Sequence, residues 1–258
     1  MKPPPAAELN PDAPAGGTEQ VDAAAREAEL RQNLAEVRER IRQACSAADR
    51  KVDEVTLIAV TKFFPVTDAV LLAAAGVADL GESRDQEASA KVAEFGRLSE
   101  REVRWHFIGR LQSNKAKSVA RYADVVHSVD RLELATALDG GVRRAEREPL
   151  EVLVQLSLDA DPDRGGSAGV ELERLADQVA GLDSLKLAGV MAIAPLDVEA
   201  DRAFGQLEEV AGRVRVSHPE ARMISAGMSN DLEAAVRHGA THVRIGTALL
   251  GRRATPFR

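Results

Sequence analysis

The chain has 258 residues, one cysteine (Cys45), a net charge of -7 and only 3% aromatic residues. Because acidic and basic residues are interspersed and aromatic rings are scarce, the composition argues against a nucleic-acid interface. No apolar run reaches the roughly 18–20 residues of a membrane helix, and the first residues lack the pattern of a secretory signal. We therefore expect a cytoplasmic protein without disulfides or membrane association.

The first residues predict a tail followed by a helix. Residues 1–17 contain five prolines and several alanines and glycines, which is typical of a disordered tail. Residues 18–258 then form one predicted domain. Residues 18–49 predict one long helix, because its apolar residues recur at steps of three and four. They are Leu30, Leu34, Val37, Ile41 and Cys45.

From residue 54 onward, short apolar runs alternate with amphipathic stretches, which predicts alternating strands and helices. The predicted strands are Val55–Val60, Ala78–Leu80, Val103–Ile108, Val125–Val129, Val152–Leu156, Leu187–Ile193, Arg222–Ser225 and His242–Ile245. The predicted helices are Thr67–Ala75, Arg84–Phe95, Gln112–Tyr122, Arg131–Arg147, Leu172–Val179, Glu199–Val214 and Asp231–His238.

Eight such units indicate an α/β fold of the (β/α)8 TIM barrel type with an extra N-terminal helix. The alternative is an open, doubly wound parallel sheet. The short second strand favours a closed barrel, since a closed sheet has no exposed edge. Only a brief segment follows the last strand, so we expect the long first helix to cover part of the barrel there.

Lys62 is the first candidate functional residue, two positions beyond the apolar run Leu57–Val60. In barrels, the active site lies at the carboxyl ends of the strands. The chain has 27 arginines but only 7 lysines, and lysine, unlike arginine, can form an imine. Phe63 and Phe64 could desolvate its amine. The alternative is a surface lysine whose stem lies along apolar neighbours.

The loops after the seventh and eighth strands are candidates for a phosphate site. Ser229 and Asn230 are predicted to open a helix, with the spacing of a capping box between Asn230 and Glu233. An ordinary cap without a ligand is the alternative. Gly246 would let a backbone amide approach a ligand, and Thr247 adds a hydroxyl. Arg244 either faces a ligand inside the barrel or is solvated outside it.

The third strand and its loop offer fewer candidates. His106 is better explained as a hydrogen-bonded core histidine than as a ligand, whereas Asn114 and Lys115 lie beyond the strand end, where a site role is possible. No set of His, Cys and carboxylate residues has metal-ligand spacing, so we predict no metal.

Several segments together resemble the pyridoxal 5′-phosphate (PLP) homeostasis proteins, single-barrel relatives of the alanine racemase N-terminal domain. The resemblance runs from about residue 25 to residue 252. It is carried by LIAVTKFFP around Lys62, GESRDQEA, WHFIGRLQSNK, GVMAIAP and SAGMSNDLEAAVRHGATHVRIGTALLG.

The resemblance implies a PLP carrier that holds the cofactor as a Schiff base on Lys62 and helps to balance cofactor pools. It implies phosphate contacts from Ser229, Gly246 and Thr247, and an Arg244 that faces the pyridine nitrogen. Met228 and Asn114 complete the predicted cofactor site. PLP-dependent apo-enzymes are the implied protein partners.

The chain departs from the usual pattern in two places. Ser83 and Arg84 stand where Asn-Tyr is common, so contacts made by those two side chains are not carried over. Ala226 replaces a usual methionine, which should affect packing more than binding.

The chemistry of the expected site favours a carrier over a racemase. An arginine beside the pyridine nitrogen disfavours its protonation, which weakens the ring as an electron sink. Racemases of this fold use a tyrosine from a second domain, whereas the single tyrosine here, Tyr122, is expected toward the opposite face of the barrel. Without that domain and its dimer interface, we expect a monomer.

Two alternatives remain to a PLP carrier without an established reaction. One is a weak PLP-dependent amino-acid racemase. The other is a PLP-independent lyase in which Lys62 attacks a carbonyl substrate directly.

Overall fold

The structure is a computed structural model that describes residues 16–159 and 165–251. Residues 1–15, most of the predicted tail, lie outside the described residues. Eight parallel strands pair in chain order and close into a barrel. The strands are β1 Thr56–Val60, β2 Asp79–Glu82, β3 Arg104–Phe107, β4 Val125–Val129, β5 Leu150–Gln155, β6 Leu185–Met191, β7 Met223–Ser225 and β8 His242–Ile245. The (β/α)8 barrel is therefore confirmed over the open sheet.

Helices surround the barrel and connect successive strands. They are α1 Gly16–Ala47, α2 Val66–Ala74, α3 Asp85–Leu98, α4 Ala116–Val119, α5 Leu132–Arg144, α6 Gly169–Ala180, α7 Ala200–Ser217, α8 Leu232–Arg237 and α9 Thr247–Leu250. The helix predicted over Gln112–Tyr122 is wrong in length. A 3₁₀ turn, Ser113–Lys115, precedes the single turn of α4.

Strand positions alternate between the barrel interior and the helix layer. On β1, Ala59 packs in the apolar cluster shared with α1 and α2, whereas Ile58 lies next to Gly81 inside the barrel. The interior is partly polar, because His106, His127 and Arg244 are all buried there. These buried polar groups lie below the opening of the barrel at the carboxyl ends of its strands, which we call the mouth.

The predicted apolar stripe of α1 is buried along its whole length. It packs against α2, α8 and α9, and polar side chains of α1 bond carbonyls at the ends of these elements. Asn33 donates to the Leu249 carbonyl and Arg26 to the Leu250 carbonyl, which satisfies oxygens left open at the end of α9. The expectation that α1 covers the side of the last strand is therefore confirmed.

No helix in the described ranges combines the length and apolar character that a bilayer crossing requires.

Candidate functional site

Lys62 lies at the carboxyl end of β1 and follows its alternation. The Thr61 amide donates to the Gly81 carbonyl at 3.0 Å, so strand pairing continues one residue beyond β1. The Thr61 hydroxyl donates to Glu82, on the helix side of the sheet. The next side chain therefore has the inward phase of Ile58 and Val60. Lys62 is half-buried, with its Nζ 5.9 Å from the centre of the Phe63 ring.

Phe63, directly after Lys62, has a left-handed backbone with φ of 69°. This conformation is uncommon for a residue with a side chain and costs about 1–3 kcal/mol. Its amide donates to the Glu87 carboxylate of α3 at 2.5 Å. The guanidinium of Arg84 lies over the Phe63 ring, with its carbon 4.7 Å from the ring centre. The turn that carries Lys62 is thus held by Glu87 of α3 and by Arg84, the residue before that helix.

A buried ion pair supports this turn from the helix side. Lys91 of α3 contacts Glu82 at 2.5 Å and donates to the Thr61 carbonyl at 2.7 Å. Glu82 is buried, and its second oxygen has no hydrogen-bond partner among the described residues. Burial raises the pKa of this carboxyl, while the charge of Lys91 opposes the shift. β2 extends past its predicted end and includes Glu82. A carboxylate can continue this buried strand because Lys91 pairs with it.

The loop after β7 turns sharply at Gly227. Its φ of 89° favours glycine, and a Cβ there would lie 2.6 Å from the Ala235 side chain. Asp231, not Asn230, precedes the first residue of α8, and its carboxylate accepts the Met228 amide. The predicted Asn230–Glu233 capping box is therefore wrong. Glu233 instead pairs with Arg40 of α1.

The loops after β7 and β8 meet at Ser229. Its hydroxyl oxygen accepts the Ala248 amide at 3.2 Å, next to Thr247. Arg40 donates to the Ser229 carbonyl from outside, which fixes the loop against α1. Because Ser229 accepts this bond, its own hydroxyl hydrogen is available to a ligand. The predicted phosphate residues thus lie together at one corner of the mouth.

Gly246 connects this corner with the strand of Lys62. A Cβ on Gly246 would lie 3.5 Å from the Val60 carbonyl oxygen, and Val60 is two residues before Lys62. Thr247 begins α9 with an exposed side chain. The lysine, the two hydroxyls and the first amides of α9 therefore border the same opening.

Arg244 faces the interior, which decides between its two expected orientations. It is 5% exposed and donates to the Ser225 hydroxyl at 2.6 Å and to the Ala192 carbonyl at 2.9 Å. Burial lowers the pKa of this guanidinium to about 10, so it stays charged at neutral pH. An arginine has five N–H donors. These two bonds fix it while others remain for a ligand at the mouth.

Asn114 and Met228 lie at the rim. Asn114 is exposed in the 3₁₀ turn after β3, and Met228 is 38% exposed in the loop after β7. Their role in the site stays a prediction.

His106 is a buried core histidine, as predicted, with hydrogen bonds at both ring nitrogens. Its partner His127 and the serine beneath Arg244, Ser225, were missed by sequence reasoning. The strand phase is the signal that could have found them, because inward positions of β4 and β7 hold polar residues. Within the described ranges, no three metal-ligand residues cluster.

We expected Tyr122 to lie toward the opposite face of the barrel, but its hydroxyl does not point there. Its hydroxyl lies 3.4 Å from the Asp85 carboxylate, and Asp85 begins the helix after the carboxyl end of β2. The side chain is partly buried. Burial, together with the nearby Asp85 charge, raises the pKa of this phenol well above its usual range.

The chain matches the family model of the alanine racemase N-terminal domain over residues 29–254. A Mycobacterium tuberculosis protein named pyridoxal phosphate homeostasis protein is 49% identical, over 88% of this chain and 94% of the relative. The chain belongs to the pyridoxal phosphate homeostasis protein family. A family member from Escherichia coli K12 is 39% identical, over 87% of this chain and 97% of the relative.

Solved structures agree with this family assignment. PipY of Synechococcus elongatus with PLP bound has a TM-score of 0.75 and 33% identity, and covers 86% of this chain and 100% of its own. Alanine racemase of Corynebacterium glutamicum shares the fold at 15% identity, with a TM-score of 0.64. This chain covers 88% of its own length but only 60% of that racemase. The homeostasis family is thus a single-barrel version of the fold.

Proposed function

We propose that this chain binds PLP as a Schiff base on Lys62 and buffers or delivers the cofactor. Homologues that cover nearly all of the chain are named for PLP homeostasis, and PipY has a structure with PLP bound. The observation that carries the proposal is the placement of a half-buried lysine beside the Ser229 and Gly246 loops.

Lys62 supplies the amine for this linkage. In its neutral form, Nζ attacks the aldehyde carbon, and loss of one water leaves an imine that hydrolysis can reverse. The turn at Phe63, held by Glu87, keeps the amine at the mouth. A reversible bond at an open rim suits storage and release.

The phosphate is assigned to the corner between β7 and β8. Ser229 and Thr247 each offer a hydroxyl, and the Thr247 amide, the first of α9, has no partner within that helix. The Ser229–Ala248 bond preorganises this corner before a ligand arrives. The backbone at Gly246 permits close approach of a phosphate oxygen.

Arg244 is the reason to favour a carrier over an enzyme. When bound, PLP supplies a ring that can accept electrons from a substrate carbanion. A charged guanidinium beside the pyridine nitrogen donates hydrogen bonds and disfavours a proton there. The bonds of Arg244 to Ser225 and Ala192 support this orientation of the guanidinium.

A weak PLP-dependent racemase is the second candidate, since alanine racemases share the fold. Tyr122 lies near the carboxyl end of β2, but its hydroxyl bonds Asp85 and its raised pKa keeps it protonated. A phenol in that state is a poor base. Racemisation of amino acids by purified protein that is lost in Lys62→Ala would favour this candidate.

Delivery to PLP-dependent apo-enzymes is supported by the rim. Large apolar side chains are exposed at the carboxyl-end side of the barrel, at the starts of α5 and α6 and in the loops after β6 and β7. They are Leu132, Val170, Leu196 and Met228. Leu196→Asp should slow transfer to an apo-enzyme without weakening PLP binding. Equal transfer rates would favour release into solution as the route.

Borohydride reduction followed by peptide mass spectrometry tests the central proposal. We expect the pyridoxyl group on Lys62 and its loss in Lys62→Ala. Lys115→Ala, which removes an exposed lysine after β3, is the matched control and should keep the adduct. An adduct retained on another lysine in Lys62→Ala would contradict the assignment.

A further inference from the structure

A continuous line of hydrogen bonds crosses the barrel interior below the mouth. Arg244 donates to Ser225 at 2.6 Å, and the Ser225 hydroxyl lies 2.8 Å from His127 Nδ1. His127 Nε2 lies 2.8 Å from His106 Nδ1. His106 Nε2 lies 2.8 Å from the Asp79 carboxylate. We call these five residues the core chain.

The core chain is shielded from solvent except at its far end. His106, His127 and Ser225 are each at most 1% exposed. Asp79 is the first residue of β2, and its side chain is 13% exposed. It lines a cavity of about 530 Å³ between α1 and the amino-terminal ends of β1 and β2. Protons can therefore enter at Asp79, on the side of the barrel away from Lys62.

The two ends of the core chain fix the direction of every bond in it. Arg244 can only donate, so Ser225 accepts from it and its hydroxyl hydrogen is free to turn to His127. A carboxylate at Asp79 can only accept. Between these ends, two neutral imidazoles satisfy every contact only if both carry hydrogen on Nε2.

The surroundings of His127 agree with a neutral ring at that position. Burial, followed by the charges of His106 and Arg244, lowers the pKa of His127 well below its usual range. Burial also lowers the pKa of His242 to about 4. The ring centre of His242 lies 6.2 Å from that of His106. Among the other charged groups nearby, Arg104 acts on both His127 and His242, whereas Asp79 and Glu151 act on His242.

One added proton would reverse the core chain. An imidazolium at His106 donates to both Asp79 and His127, so His127 must then donate from Nδ1 to Ser225. The Ser225 oxygen would accept from His127 and Arg244 together, and its own hydrogen would have to leave the line. Arg244 would then share its acceptor, and its hold on the interior would weaken.

We propose that His106 and His127 are positioning residues that couple the protonation of the Asp79 end to the Arg244 guanidinium at the cofactor site. This inference rests on the proposed PLP function, because Arg244 acts there on the pyridine ring. PLP retention should therefore fall when the core chain takes up a proton.

Nitrogen-15 NMR of histidine-labelled protein without cofactor tests the assigned bond directions. At neutral pH we expect His106 and His127 as neutral Nε2–H tautomers. A neutral Nδ1–H tautomer at His127 would overturn the proposal. The readout needs no PLP, so it is independent of whether the proposed function holds.

Variants at Asp79 and His127 test the coupling by titrating PLP retention against pH. Asp79→Asn keeps an acceptor for His106 but removes the anion that stabilises an imidazolium, so the acid midpoint should fall by about one pH unit. In a His127→Phe background, the same substitution should cause no shift. His218→Asn, on the surface pair with Asp177, is the control and should keep the parent midpoint.

An Asp79→Asn midpoint equal to the parent, or an equal shift with and without His127, would overturn the coupling. Failure of all variants to bind PLP would count against the proposed function, while the tautomers still decide the core chain. If His127→Phe does not fold, His127→Met provides a second interruption, since its side chain has no N–H to donate to His106.

Discussion

The residue after Lys62 shows how a strained backbone is maintained at the candidate site. Phe63 keeps a positive φ while its amide bonds Glu87. Strain of this kind persists only where the surroundings compensate for it. The position of the Lys62 amine therefore depends on the Glu87 carboxylate of α3.

Glu87→Ala should relax the Phe63 turn. We expect a loss of about 1–2 kcal/mol in the free energy of unfolding, because a charged hydrogen bond to the amide is removed. PLP affinity should fall as well, since Lys62 is less fixed. Urea denaturation and fluorescence titration measure the two effects. Glu94→Ala, an exposed change on the same helix, should alter neither.

Lys91→Met should destabilise the fold in a pH-dependent way. The substitution leaves the buried Glu82 carboxylate without its cation, which costs about 3–5 kcal/mol at pH 7. Burial already raises the pKa of Glu82 in the folded chain, and loss of Lys91 raises it further. Below the unfolded pKa of about 4.3 the carboxyl is protonated in both states.

The loss caused by Lys91→Met should therefore grow as pH rises from about 4 toward 7, following the raised folded pKa. Urea unfolding at pH 5 and pH 7 measures the difference. Lys186→Met removes a lysine that is 59% exposed from its pair with Glu151 and should cost less than 1 kcal/mol. An equal loss at both pH values would contradict the assignment of the cost to Glu82.

At the scale of elements, α1 acts as part of the site although it lies outside the barrel. Arg40 bonds the Ser229 carbonyl, and Asn33 bonds Leu249 at the end of α9. Both loops of the phosphate corner are thus braced from the same helix. The corner is ordered by contacts between residues about 190 positions apart in the chain.

Arg40→Ala should lower PLP affinity more than stability. Its pair with Glu233 is exposed and is worth less than about 1 kcal/mol. Loss of the Ser229 carbonyl bond should loosen the phosphate corner and raise the Kd several-fold. Arg42→Ala, which breaks another exposed pair on α1, is the control. Equal Kd values for the two variants would show that Arg40 does not brace the site.

Sequence patterns predicted the elements well where burial follows apolar periodicity. β4 and β8 have their predicted bounds, and the stripe of α1 is buried as expected. The patterns failed where polar groups are buried in pairs. β2 ends at Glu82 because of Lys91, a partner that no period in the sequence reveals.

The candidate site was predicted unevenly for the same reason. The places of Lys62 and Arg244 on their strands made them candidates, but the inward direction of Arg244 required its partners Ser225 and Ala192. Asn230 was assigned the N-cap position that Asp231 occupies, because both residue types favour that position. Contacts between distant strands decided what local preference could not.

At the scale of the whole molecule, we expect a monomer in solution. The exposed large apolar side chains in the described part of the chain lie on separate elements. They are Val52, Leu98, Leu132, Val170, Leu196, Val216 and Met228. Light scattering after gel filtration should give a mass near 27.6 kDa. A stable mass of twice that value would contradict the expectation.

The position of α1 also has a consequence for biosynthesis. This helix leaves the ribosome before every strand of the barrel, yet Arg50 beyond its end bonds the Val236 and Ala240 carbonyls, and Asn33 bonds Leu249. The partners that cover its apolar stripe are therefore synthesised only after nearly the entire chain. Nascent chains stalled before β8 should therefore expose that stripe to chaperones and proteases, and protection should arrive only in the final stage of translation.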